Sequence, residues 1–170
     1  EEKIDLVVAG AGFSRDVFDW CKAAATEFVP IVSSAKLARI AERLGASAVI
    51  VEGAEAGGHL GTERPVKDIV PEVLDTVRIP VIGAGAIVNG YDVAAMLRLG
   101  AHGVQIGSRF AASTESAASA AMKAAYVNAT KPEDIVLIQS TVGLPAQAIR
   151  NPFSEAIIND TVPRPKVCTN

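Results

Sequence analysis

"LGASAVIVEG", residues 44–53, holds a helix end, a glycine stop and a strand in ten letters. Gly45 is free to take the left-handed conformation that closes a helix. "SAVIVEG" (47–53) is nearly continuous in apolar residues instead of alternating. Such continuity marks a strand covered on both faces, and strands of that kind pair in parallel. The device returns in "LGAHGVQIGS" (99–108), where Gly100 plays the part of Gly45.

Working outward, the same alternation covers most of the chain. Strands are expected at "IDLVVAG" (4–10), "VPIVSS" (29–34), "SAVIVEG" (47–53), "IPVIGAG" (79–85) and "GVQIGS" (103–108). Helices must lie between them. The segment 35–44 places Leu37, Ile40, Ala41 and Leu44 on one face. After the third strand, Val66, Ile69, Val70, Val73, Leu74 and Val77 recur at steps of three and four, with Asp68, Glu72 and Asp75 opposite. Five βα units in series make an α/β domain with right-handed crossovers.

Two architectures fit, a doubly wound open sheet and part of an eight-stranded β/α barrel of the TIM type. Gly-rich turns after two successive late strands, at 83–86 and 107–108, favour the barrel, which commonly holds phosphate between its last two loops. A doubly wound sheet would carry its glycine fingerprint after the first strand, and "GAGF" (10–13) lacks the third glycine. Five strands cannot close a barrel. The expectation is therefore an incomplete barrel covering strands four to eight, its front strands removed or supplied by another chain.

Composition excludes several classes of function. The chain has 170 residues, 49% of them hydrophobic, and a formal charge of −3 with no Lys/Arg cluster, so nucleic acid is not an expected partner. No apolar run approaches the roughly 20 residues that span a bilayer. The two cysteines, Cys21 and Cys168, show no metal or disulfide spacing. The opening "EEKIDLVVAG" carries acid where a secretory leader carries positive charge, so a cytoplasmic location is expected.

Chemistry concentrates after the third strand, in "EGAEAGGHLG" (52–61). Gly57 and Gly58 bare the backbone where a ligand could approach it, and the His59 imidazole can take or give a proton at cellular pH. A loop at the carboxyl end of a parallel strand is where barrel sites are built. The alternative is a solvent-exposed histidine in a flexible loop. The turn at Gly85 and Ala86 and the turn at Gly107 and Ser108 offer N–H donors to an anion. Gln105 lies inside the last strand, where its amide either satisfies a backbone group or reaches a ligand. Arg109 is open to a phosphate or to a structural ion pair. Glu52 and Glu55 flank the glycines, and either one would fix the His59 tautomer, cap a helix or stay solvated.

Taken together, "EGAEAGGHLG", "IPVIGAGAI" and "VQIGSRF", in that order and spacing, strongly resemble the flavin-dependent nitronate monooxygenase (2-nitropropane dioxygenase-like) family, which includes the flavin enoyl-ACP reductase II enzymes. The resemblance runs from about residue 4 to residue 153. It implies residues 1–153 as the C-terminal portion of an FMN-binding β/α barrel and 154–170 as a C-terminal extension, "RPKVCTN" resembling the start of a cysteine-bearing tail. It implies His59 as the catalytic histidine, and Glu52, Gly57, Gly58, Gly85, Ala86, Gln105, Gly107 and Ser108 as flavin and phosphate contacts, with no metal. Where the family's phosphate turn reads Ala-Gly-Gly, Ala86 replaces the last glycine, which requires a negative φ at Ala86.

The implied activity is oxidation of alkyl nitronates with O2, His59 acting as base. The alternative within the family is NAD(P)H-dependent reduction of an enoyl thioester, with NAD(P)H as co-substrate. "STVGLPAQAIRNPF" (140–153) is similar to the monooxygenase-like group, and Glu52 before "GAEAGGH" to the reductase branch. The partners implied are a small-molecule or acyl-thioester substrate, and a homodimer mate or a complementing N-terminal half. Two readings from other classes stand beside these: a non-catalytic half-barrel, and a barrel for a different phosphorylated ligand.

Overall fold

The computed structural model describes residues 3–10, 12–140 and 143–162. Ala11 of the "GAGF" turn, Thr141 and Val142, and the "RPKVCTN" tail with Cys168 lie outside the described residues. The chain divides into two compact units, Glu1–Glu55 with Gly61–Gln105, and Ala56–Leu60 with Ile106–Asn170.

The first unit contains β1 (Leu6–Ala9), α1 (Arg15–Ala23), β2 (Glu27–Val32), α2 (Ala35–Leu44), β3 (Val49–Glu52), α3 (Val66–Leu74), β5 (Val81–Ala84), α4 (Gly90–Arg98) and β6 (Gly103–Gln105). The intervening β4 (Gly58–His59) belongs to the second unit. The five strands pair in parallel in the order β1-β2-β3-β5-β6. Because the order never reverses, crossovers of one hand must all pass on the same side of the sheet. A doubly wound sheet requires a reversal, so this is the barrel arrangement. Among the described residues β1 and β6 each keep one unpaired edge, as expected of an incomplete barrel.

Register separates the two faces. Val32, Val51 and Gly83 share one row, and a side chain at Gly83 would run into Met96 of α4, so this is the helix side. Against it the helices bury Phe18 and Cys21, Ala38 and Ala41, then Val66, Ile69, Val70 and Val73. On the other face Val29, Ala48, Ile50 and Ala84 form a cluster, with Ile31 and Ile82 packed against it.

The expected elements are all present, with trimmed ends except at the start of the second strand, which begins at Glu27 instead of residue 29. Helix 35–44 has the bounds read from the sequence, and Gly45 and Gly100 take positive φ, +98° and +99°. The second strand stops at Val32 because Ser34 turns out to cap α2, its side chain accepting from Leu37 N. The last strand stops at Gln105, since Ser108 already begins a helix. Helix α3 ends at Leu74, short of the apolar stripe, although Val77 beyond it remains buried.

The second unit contains β4, α5 (Ser108–Ala111), α6 (Ala120–Asn128), β7 (Ile135–Gln139), β8 (Pro145–Ile149) and α7 (Pro152–Ile158). Its three strands form an antiparallel sheet in the order β4-β8-β7, which the sequence reading did not anticipate. Helix α7 packs on β7 and runs across the boundary between residues 153 and 154, where the extension was expected to begin. Among the described residues no helix is long and apolar enough to cross a membrane.

Ile69, fully buried at 0% exposure, carries the packing of α3 on the sheet. Ile69→Ala is expected to remove about 2–5 kcal/mol of stability. Urea denaturation should register this as a lower midpoint with an unchanged slope.

Candidate functional site

In the first unit, three carboxyl strand ends stand side by side. Glu52 pairs with Ala84, and Ala84 with Gln105, so the three form one row across β3, β5 and β6. Side chains alternate along a strand. Ala84 and Ile50 belong to the cluster facing away from the helices, which sets Glu52, two residues past Ile50, on that same face. Gln105 joins them, two residues past the Gly103 that pairs with Ile82. The alanine between them leaves the two polar side chains flanking a gap.

Neither the Glu52 carboxylate nor the Gln105 amide makes a side-chain hydrogen bond among the described residues. Burial raises the Glu52 carboxyl above its ordinary range, because a half-buried carboxylate loses hydration that no described side chain replaces. Of the two roles open to Gln105, satisfying a backbone group is not the one observed.

After β5 the chain turns through Gly85 at φ +119° and Ala86 at φ +54°. This corrects the requirement for a negative φ at Ala86. The turn needs two successive positive angles, and the residues just beyond it hold them in place. Ile87 is buried, and Asn89 and Asp92 close a capping box on α4. Asn89 Oδ1 accepts from Tyr91 N and Asp92 N at 2.8 and 3.2 Å, and Asp92 Oδ2 accepts from Val88 N and Asn89 N at 3.0 and 3.1 Å. Those amides are engaged. Any anion drawn to this segment meets the Gly85–Ala86–Ile87 turn instead.

Glu55 takes the capping role among its alternatives: its Oε2 accepts from Val66 N, the first residue of α3, at 3.1 Å. Nearby, a side chain on Gly61 would press on Ser33 Oγ at 2.8 Å, a close approach between the loop and the end of β2 that sequence reasoning missed.

In the second unit, Gly57 and Ser108 come together, the Cβ position of Gly57 lying 3.6 Å from Ser108 Oγ. Gly58 has φ +86°, and nothing lies within 4 Å of its Cβ position or that of Gly107. Here the main chain is open to a ligand. His59 is exposed, yet it is not in a flexible loop. Gly58 and His59 pair with Gln147 and Ala146, and Leu60 N donates to Pro145 O at 2.8 Å. The β8 residues that hold the histidine were missed. The visible signal was the run "IVLIQ" (135–139), whose partner strand "PAQAI" is too poor in β-formers to announce itself. Among the described residues Arg109 forms no ion pair, and no cluster of His, Cys, Asp and Glu could hold a metal.

Comparison with known proteins supplies the context for this geometry. The family described as nitronate monooxygenase matches residues 1–168. A probable nitronate monooxygenase of Staphylococcus aureus (strain Newman) is 36% identical over 151 residues, covering 84% of this chain and 42% of that protein. The solved structure of FabK from Thermotoga maritima superposes with a TM-score of 0.82 at 39% identity, over 92% of this chain and 51% of that one. Nitroalkane oxidase from Streptomyces ansochromogenes gives 0.73 at 32% identity, over 87% and 46%. The chain thus spans about half the length of the relatives it matches, or less.

Two outcomes are expected of this geometry. Ala86→Gly relieves a left-handed alanine that costs about 1–2 kcal/mol, part of it returned to the freer unfolded glycine; thermal unfolding should show a net gain of up to about 1 kcal/mol. For Glu52 the folded chain holds the carboxyl proton more tightly than the unfolded chain does. Raising the pH from the ordinary carboxylate range through the raised folded value therefore lowers stability. Glu52→Gln removes that loss, so in the ligand-free protein its stability relative to the parent should be greater at pH 7 than at pH 4.

Proposed function

Because this chain belongs to the nitronate monooxygenase family, we propose that it serves an FMN-dependent oxidoreductase that oxidises alkyl nitronates with O2, with His59 as the base. The observation that carries the reading is the row of Glu52, Ala84 and Gln105 at the carboxyl strand ends. Two polar side chains without hydrogen-bond partners among the described residues, one of them disfavoured as a charge, sit where β/α barrels build their sites.

The residues fit a flavin. The ring and ribityl chain of FMN are rich in donors and acceptors, which Glu52 and Gln105 would meet. Gly57, Gly58, Gly107 and Ser108 would offer open main chain and a hydroxyl, and the turn at Gly85 and Ala86 would offer amides to the phosphate. When bound, FMN supplies the two-electron acceptor that no side chain here provides. His59 would take the α-proton of the neutral nitroalkane on an imidazole nitrogen, leaving the nitronate to be oxidised, and the β4–β8 ladder keeps its main chain fixed while it does so. The proposal keeps the cytoplasmic setting expected from the sequence, and further strands to pair the open edges of β1 and β6.

A second reading has its own support. The match to FabK exceeds that to nitroalkane oxidase in both identity and TM-score. It favours an NAD(P)H-dependent enoyl reductase, in which His59 would give a proton to the thioester product. Anaerobic addition of NAD(P)H separates the two. Rapid flavin bleaching supports the reductase, while oxygen uptake with a nitronate but not with NAD(P)H supports the monooxygenase.

Mass spectrometry of the ligand released from the complete protein is expected to show FMN. His59→Ala is expected to lower kcat by about 10²–10⁴-fold with the flavin retained. Parental turnover in that variant, measured as oxygen uptake supported by the neutral nitroalkane, would remove the assigned base.

A further inference from the structure

The segment that carries His59 is clamped at its base within the first unit. Ala54 N donates to Arg64 O at 2.8 Å, and Glu55 Oε2 accepts from Val66 N at 3.1 Å. Gly53 lies under the second contact, and a side chain there would collide with Val66 N and with the Glu55 carboxylate. Arg64 then forks onto Glu72 of α3, Nη1 and Nη2 donating to its two carboxylate oxygens at 3.0 and 2.5 Å. Residues 53–55 and 64–66 thus form a neck, and α3, buried through Ile69, Val70 and Val73, is the post to which it is tied.

The segment beyond the neck is shaped by what it is tied to, the neck at one end and the β4–β8 pairing at Gly58 and His59. Residues 56–61 include three glycines, each with more backbone freedom to lose than any other residue type. The segment Ala56–Leu60 leaves the first unit directly after Glu55, and the chain rejoins that unit at Gly61. The main chain therefore sets out toward His59 from backbone that the Glu55–Val66 contact clamps.

We infer that Glu55 is a positioning residue for His59: by capping α3 it fixes the departure of the histidine-bearing segment. The inference rests on the reading of His59 as the base. The neck uses the reach of the side chain and one acceptor oxygen, whereas a carboxylate acting on the imidazole would depend on charge. Glutamine keeps the reach and an acceptor oxygen but not the charge. Aspartate keeps the charge and loses one methylene of reach.

The test compares Glu55→Asp and Glu55→Gln in the complete, flavin-loaded enzyme, reading kcat, KM and the pH profile of oxidation of the neutral nitroalkane, the substrate that calls on the base. Glu55→Asp is expected to lose about tenfold or more in kcat, with KM within about twofold, because a base displaced by a fraction of an ångström loses alignment while binding persists. Glu55→Gln should recover most of that loss without moving the pH profile. Parental kcat in Glu55→Asp, a comparable kcat loss in Glu55→Gln, or a shifted profile in Glu55→Gln overturns the inference. If Glu55→Asp fails to fold, the glutamine variant decides alone by the same criteria. His59→Ala run in parallel keeps the two readings apart. Its parental turnover removes the base itself, whereas its impairment beside a fully active Glu55→Asp removes only the role of Glu55.

Discussion

A parallel strand reaches its neighbour only by a crossover, and crossovers have one hand. In this chain the strand order runs β1-β2-β3-β5-β6 without reversal, so that single constraint sends the crossover helices α1 to α4 to the same side. The opposite face is lined by the strand side chains Val29, Ile50 and Ala84. Glu52 and Gln105 are presented at its carboxyl rim for no reason other than parity and register. The candidate site is thus a by-product of topology, furnished by whichever residues occupy the last position of each strand.

Much of this was legible. Near-continuous apolar strands, the three- and four-residue steps of α3 and the glycine stops at Gly45 and Gly100 are local signals, and local signals survive folding when tertiary contacts agree with them. Strand ends were overdrawn where serine or glycine came after an apolar run. Ser33 and Ser34 read as strand by their neighbours, but a Ser34 hydroxyl that caps α2 cannot also continue a ladder.

The remainder was illegible for identifiable reasons. Pairing of Gly58 and His59 with Gln147 and Ala146 joins residues nearly ninety positions apart, and neither partner carries a pattern that announces the other. Ala86 at positive φ runs against the intrinsic preference of an L-residue. Only the buried Ile87 and the Asn89–Asp92 box, acting after folding, over-determine it. Glu55 could be read as a cap, a tautomer partner or a solvated acid, and the choice among these depended on where Val66 N would lie.

The ladder that holds the histidine has only two rungs, and one of them is a glycine. Faces alternate residue by residue, so a slide of β4 by a single step against β8 would turn the imidazole to the reverse side of the ribbon and bring a bare backbone in its place. Pitch along this short ladder therefore acts as a vernier for the reacting group: a one-step shift of β4 on β8 would re-aim the imidazole with every residue of both strands unchanged.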